Sequence, residues 1–467
     1  MSQVFAYLKQ LYTSGEYPLH MPGHKRQSFI PFLQNAYALD ITEIEGSDNL
    51  YEANGILKEA MERAAKVCGA DKTLFLVNGS TVGILSAITG LTQKGDTILM
   101  ARNCHKAVYH AVELRELSVE YVFPNNWENL ELAGPVTLEA IQSKIEKNPK
   151  IKLVVITSPT YEGVVSPVRE IAEYLHEKKI PLLVDEAHGA HFPFSDKFPE
   201  SAVCAGADVV IQSMHKTLPA FTQSALMHIK EDAPCKDKIQ DYLSYYQTSS
   251  PSYLFMAGMD ACMDRIEKEG ESLWNDFFTY REEFMEAVKT LKKIQVLDLN
   301  RKIGQLIQDP GKIVISVKNT NISGKELQTR LLKEFKIQLE MAAASYGLAI
   351  FTLSDTKEGF LRLAEALDHI DKTIEKKMEQ TVTASSQEEY VTCYPIATAK
   401  EQSWEEIPLQ EAKDRVSAEY INIYPPGIPL IVPGEKMTQS LLDKIIKSIA
   451  LDLQVQGLFH GKVRVVK

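Results

Sequence analysis

The stretch Gly206-Ala-Asp-Val-Val-Ile-Gln-Ser-Met-His-Lys216-Thr-Leu-Pro219 decides the fold. Its β-branched run, Val209 to Ile211, has the composition of a strand buried on both faces, and that strand delivers a serine, a histidine and a lysine to its end. Upstream, Pro181-Leu-Leu-Val-Asp185-Glu-Ala-His188 is a second such strand, and it delivers an aspartate. Working outward, short apolar strands alternate with amphipathic stretches from about residue 56 to 230. The predicted strands are Thr73 to Val77, Thr97 to Ala101, Val119 to Phe123, Leu153 to Thr157, Leu182 to Asp185, Val209 to Ser213 and Ala225 to Ile229. Between them Val82 to Leu91, Lys106 to Leu117, Leu138 to Lys147 and Val168 to Lys178 have helical periodicity. That alternation predicts an α/β domain with a mainly parallel sheet covered on both faces, whose ligands bind at the carboxyl ends of the strands.

The residues at those ends carry chemistry. A lysine amine forms a Schiff base with the aldehyde of pyridoxal phosphate, and a carboxylate opposite the pyridine nitrogen keeps the ring protonated and electron-accepting. Lys216 and Asp185 supply the two groups. Either alone is usually a solvated loop lysine or a capping or turn aspartate; their joint order, with a phosphate-binding candidate upstream, favours the cofactor. Asn78-Gly79-Ser80-Thr81 follows a strand and precedes a helix, where a glycine and a helix N-terminus let N–H groups approach a phosphate and the two hydroxyls add donors. By itself it is also a good capped turn. Ser213 and His215 flank Lys216 and can reach the same phosphate, and His105, after another strand end, can lay its ring on the cofactor. His188 and His191 have the i, i+3 spacing of a helix face, but without a clear third ligand they make a poor zinc signature, and no metal is expected.

Composition narrows the class. At 467 residues, 45% apolar and 24% charged, the chain reads as a globular protein of two or three domains. A net charge of −11 argues against nucleic-acid and anionic-membrane partners. The six cysteines form no C-x-x-C pair, which fits reduced thiols. The first fifteen residues lack the pattern of a signal peptide and no apolar run is long enough to span a bilayer, so the expected location is the cytoplasm.

After residue 260 the texture changes to charged helices, Asp260 to Lys293 and Lys325 to Phe335, around a strand-like Lys312 to Val317. Residues 374 to 390 are polar without a core face and read as a linker, and the Pro/Gly-rich run from Tyr424 to Glu435 cannot be regular helix. The expected division is a cofactor-binding major domain with its N-terminal segment, 1–260, a small α+β domain, 261–380, and a C-terminal domain, 381–467.

Eight segments together carry a family resemblance. They are His20-Met-Pro-Gly-His-Lys25, Ala70-Asp-Lys-Thr-Leu-Phe-Leu-Val-Asn-Gly-Ser-Thr81, Arg102-Asn-Cys-His-Lys106, Pro159-Thr-Tyr-Glu-Gly163, Val184-Asp-Glu-Ala-His-Gly-Ala-His191, Ser213-Met-His-Lys-Thr217, Thr248-Ser-Ser-Pro-Ser-Tyr253 and Tyr424-Pro-Pro-Gly-Ile-Pro429. In this order the chain resembles the Orn/Lys/Arg decarboxylases, the group III, fold type I pyridoxal phosphate enzymes, in their short bacterial form without an N-terminal wing domain. The resemblance implies an aspartate aminotransferase-like major domain and a smaller α+β C-terminal domain. It implies that Lys216 holds the cofactor as a Schiff base, Asp185 partners the pyridine nitrogen, His105 stacks on the ring and His188 lies close to it. It implies phosphate contacts from Ser80, Thr81, Ser213 and His215, and from Thr248 and Ser249 across the interface of a homodimer.

The expected reaction is decarboxylation of arginine, lysine or ornithine to the corresponding amine, in polyamine metabolism, with Lys216 or a nearby histidine returning the proton to Cα. Glu45, Asp48 and Glu435 are candidates for binding the distal cation of the substrate. The alternatives are another fold type I activity, such as transamination or elimination, and an inactive cofactor-binding paralogue.

Overall fold

The structure, a computed structural model, describes all residues except 1, 29, 128–131, 298–306, 378–389, 425–426 and 452. The chain divides into two compact units, Met1–Leu91 with Val168–Asp276, and Thr92–Pro167 with Phe277–Lys467.

In the first unit four strands lie in the order Lys72–Leu76, Ala225–Ile229, Val209–Gln212, Leu182–Asp185. Val209–Gln212 and Leu182–Asp185 are parallel, whereas Ala225–Ile229 is antiparallel to both of its neighbours. The reason is the connection: the residues between Gln212 and Ala225 hold only the four-residue helix Met214–Thr217. A parallel return needs a crossover of a dozen or more residues, usually a full helix. Nearly every position of these strands is buried, as the continuous apolar runs predict.

Helix Gly79–Leu91 packs against this sheet and against helix Lys236–Tyr246. Two glycines make both approaches possible. A Cβ at Gly83 would lie 2.7 Å from Leu76 Cδ1, and one at Gly90 would lie 2.8 Å from the Ile239 backbone. Helix Ile56–Cys68 stops at Gly69, whose φ of +70° lets its N–H reach back to Ala65 and Lys66. The helix predicted from Asp260 begins at Tyr253 and runs to Ala287. Its first turns carry the buried Tyr253, Met256, Ala257 and Met259, too apolar to display an amphipathic period.

In the second unit Thr97–Ala101 lies between Ser118–Val122 and Ile151–Thr157, parallel to both. Helices Lys106–Arg115 and Leu138–Lys147 follow the first and precede the last of these strands, as predicted. A four-stranded antiparallel sheet, Gln295–Leu297, Lys312–Ser316, Tyr346–Ile350 and Met341–Ala342, accompanies helices Gly324–Phe335 and Lys357–Thr373. Farther along, Ile421, Ile431, Leu441, Ile445, Val463 and Val465 build a separate core from two small sheets and helix Gln439–Ala450. Most of the predicted linker, 378–389, lies outside the described residues, as do Pro425 and Pro426; Ile428–Ile431 is a strand. Among the described residues no helix is long and apolar enough to cross a membrane.

Candidate active site

The first unit brings most of the predicted site residues to neighbouring strand ends. Lys216 lies in the short helix Met214–Thr217 directly after Val209–Gln212, and its Nζ is 3.1 Å from His188 Nε2. Asp185 ends the adjacent parallel strand, is 3% exposed, and accepts the Ala187 N–H at 3.1 Å. Burial raises its carboxyl above the ordinary value, and the nearby Lys216 charge works against that shift. His188 and His191 do not share a helix face. They sit in turns, His188 toward Lys216 and His191 edge-on against Phe192 and Phe198.

The phosphate turn differs from its predicted form in one respect. The helix starts at Gly79 rather than Val82, so Ser80 and Thr81 occupy its first turn, where N–H groups have no helical partner. Gly79 adopts φ +73° and gives its own N–H to the Gln223 carbonyl at 2.9 Å. The Ser80 and Ser213 hydroxyls meet at 2.6 Å, which joins the turn to the Lys216 segment. His215 Nδ1 is 3.0 Å from the Ser224 carbonyl. Burial pushes its imidazole below the usual value, partly offset by that carbonyl and reinforced by Lys216. Thr248 and Ser249 are exposed; the Thr248 N–H donates to Asn78 Oδ1 at 3.1 Å, and the Tyr51 hydroxyl donates to the Thr248 carbonyl.

His105 belongs to the second unit. There it caps helix Lys106–Arg115, its Nδ1 accepting the Ala107 N–H at 3.3 Å. Two of the candidates for the substrate's distal cation are committed elsewhere. Asp48 accepts N–H groups from Asn54, Gly55, Leu57 and Lys58 and caps the helix that follows; burial opposes its ionisation, but those donors outweigh it and hold the carboxyl below its ordinary value. Glu435 is fully buried against Arg102, Oε2 to Nη2 at 3.0 Å. Glu45 is exposed.

Sequence reasoning missed a set of polar residues inside the buried strands: Gln212, His228, Thr73 and the neighbour of Asp185, Glu186. The signal was a polar side chain at the end of Val-Val-Ile-Gln and inside Ala-Leu-Met-His-Ile, where apolar continuity breaks.

An amine beside an imidazole, a buried carboxylate on the adjacent strand and two hydroxyls at an open helix N-terminus form a donor set that fits pyridoxal phosphate. The comparisons with known proteins agree. The chain matches the Orn/Lys/Arg decarboxylase major domain over residues 3–311 and the C-terminal domain of the same family over 375–451. It is 33% identical to an arginine decarboxylase of Bacillus subtilis (strain 168) over 451 residues, 94% of this chain and 91% of that one. It is 36% identical to the protein YaaO of the same organism, covering 94% and 92%. The crystal structure of the lysine decarboxylase LdcF of Francisella novicida superposes with a TM-score of 0.85 at 21% identity, over 100% of this chain and 81% of that one. Fold, donor set and sequence lead to one conclusion: the chain belongs to the Orn/Lys/Arg decarboxylase family, pyridoxal phosphate-dependent enzymes that decarboxylate basic amino acids.

Proposed function

We propose that this enzyme converts arginine to its decarboxylated amine in polyamine metabolism in the cytoplasm, and that it works as a homodimer. The neighbourhood of Lys216, His188 and Asp185 at adjacent strand ends carries the reading of the site. The substrate rests on the relative named arginine decarboxylase. Bound pyridoxal phosphate supplies an aldehyde that takes the substrate amine and a protonated ring that accepts the electron pair released with CO₂.

The chain's own residues do the rest. Asp185 holds a proton on the ring nitrogen, and its burial strengthens that charge interaction by excluding water. Lys216 Nζ carries the cofactor at rest and afterwards donates a proton to Cα, with His188 Nε2 positioned to exchange protons with it. Ser80, Thr81, Ser213 and His215 would hold the phosphate, His105 would supply the imidazole for the ring, and Thr248 and Ser249 would complete the phosphate site of the second subunit. The corresponding domains are 1–260, 261–380 and 381–467.

Purified protein with added cofactor, incubated separately with arginine, lysine and ornithine, tests the substrate. Amine formation fastest from arginine is the expected result, and a preference for lysine or ornithine refutes it. Borohydride reduction followed by peptide mapping should find the label on Lys216; a label on Lys25 or Lys106 would overturn the site. Mixing Lys216→Ala subunits with subunits altered at both Thr248 and Ser249 tests the dimer. Recovered activity supports a shared site, and none despite subunit exchange refutes it.

A further inference from the structure

Beneath the strand ends lies a chain of hydrogen bonds that the proposed reaction does not use. Glu186, Gln212, His228 and Thr73 are each at most 3% exposed. Glu186 Oε2 accepts from Gln212 Nε2 at 2.7 Å and from the Ser201 hydroxyl at 2.8 Å, and Oε1 accepts the Ala202 N–H at 2.7 Å. Gln212 Oε1 is 3.0 Å from His228 Nε2, and His228 Nδ1 is 2.8 Å from Thr73 Oγ1.

The direction of every bond in this chain follows from its end. The amide nitrogen of Gln212 is spent on Glu186, so its oxygen must accept, and His228 must carry its proton on Nε2. Nδ1 is then an acceptor and the Thr73 hydroxyl donates. Burial pushes the His228 imidazole down to about 3, which agrees with a neutral ring. Three residues thus point their donors one way, toward the Glu186 carboxylate.

Strand pairing places the chain on one face of the sheet. Thr73 is the register partner of His228, and Gln212 is the partner of Leu226, two residues from His228 on the same side. Asp185 pairs with Ile211, so by alternation Glu186 and Gln212 share the opposite face. The Glu186 N–H also donates to the Ile211 carbonyl at 2.9 Å, extending the backbone ladder past Asp185. The chain therefore joins Lys72–Leu76, which leads to Ser80 and Thr81, by way of His228 in Ala225–Ile229 to Val209–Gln212, which leads to Ser213 and Lys216, and from there to Glu186, the residue after Asp185.

Stability alone is a poor reason for such a chain. Apolar side chains of similar volume bury without desolvation cost and pack at least as well. Hydrogen bonds add direction: each favours a narrow range of distance and angle, whereas apolar contacts are non-directional.

We propose that the Thr73–His228–Gln212–Glu186 chain is a positioning device, which sets the spacing between the strand ends that hold the phosphate, the Lys216 amine and the ring nitrogen, and so the orientation of bound pyridoxal phosphate. The proposal rests on the reading of those residues as the cofactor site. The two fail differently: if that reading is wrong, the unaltered protein does not form its borohydride-stable bond at Lys216; if only the positioning is wrong, it does, and the chain variants match it.

The test uses Gln212→Met, which keeps volume and removes both bonds, Glu186→Gln, whose amide cannot accept from all three donors, and the exchange Glu186→Gln with Gln212→Glu. The exchange restores a donor–acceptor pair and moves the carboxylate one position along the chain. Each is measured for cofactor dissociation constant, circular dichroism in the cofactor's absorption band, and kcat and KM. The single variants should bind cofactor about 10-fold more weakly, change the dichroic amplitude and lose about 10-fold in kcat with KM little changed, and the exchange should recover most of each. Folded single variants with unaltered dichroism and cofactor affinity, or an exchange no better than they are, would overturn the proposal. Should the single variants not fold, Thr73→Val at the far end of the chain decides: altered dichroism supports the positioning role, and an unaltered signal refutes it.

Discussion

Two buried carboxylates in this protein are held in opposite ways. Glu186, next to Asp185, is held by an amide, a hydroxyl and a backbone N–H. Glu435, in the C-terminal region, is held by the Arg102 guanidinium and the Val432 N–H. The same guanidinium donates to the Tyr109 hydroxyl and to the carbonyls of Pro429 and Leu430, and the Tyr390 ring covers it at 4.6 Å. An ion pair of this kind fastens a distant chain segment, because breaking it strands a charge without water. A carboxylate held only by neutral donors has no cation beside it that would compete with Lys216 for Asp185. Burial raises both glutamates, Glu186 to about 7, and the donors around each oppose the shift.

The division predicts where each substitution is felt. The largest effect is Lys216→Ala, which removes the amine proposed to carry the cofactor: CO₂ release should fall by ~10⁴-fold or more, with a melting temperature close to that of the unaltered protein. Substantial turnover in that variant would place the chemistry elsewhere. Arg102→Met leaves Glu435 buried without its cation, so denaturant unfolding should report a loss of about 3–5 kcal/mol. A loss below about 1 kcal/mol would erase the contrast between the two carboxylates.

Asp185→Asn keeps shape and removes the charge proposed to face the ring nitrogen, so kcat should drop by roughly 10²–10³-fold with KM little affected, measured by amine formation. Normal kcat would assign that charge to another acid. The smallest effect concerns pH. Burial lowers His228 from 6.5 to about 3, so below pH 6.5 the unfolded chain takes up a proton that the folded one refuses. Its stabilising contribution is present above pH 6.5 and is lost as pH falls toward 3. In His228→Gln the drop in melting temperature between pH 7 and pH 5 should therefore be smaller than in the unaltered protein. Glu186 has the opposite sign, losing its contribution as pH rises from 4.5 to about 7, and that term is common to both proteins as long as Glu186 keeps its donors. An equal or larger drop in the variant would mean that the imidazole is already charged in the folded state.

Local pattern was enough for much of the molecule. Continuous apolar runs located the strands to within one or two residues, because a strand buried on both faces is apolar at most of its positions, with Gln212 and His228 among the exceptions here. Lys216, Asp185, Ser80 and Ser213 were legible because each follows a strand end, where an α/β sheet presents its ligand-binding residues. What the sequence could not contain was the partner of each buried polar group. Asp48 and Glu435 read as acids open to a substrate, and only the folded chain spends one on a helix N-terminus and the other on Arg102, 333 positions away. The antiparallel return of Ala225–Ile229 and the alignment of Thr73, His228, Gln212 and Glu186 likewise depend on register between distant strands. Residue order determined which groups arrive at the sheet's end. Long-range pairing decided which of them face each other, because a hydrogen bond is specified by position in space and not by separation along the chain.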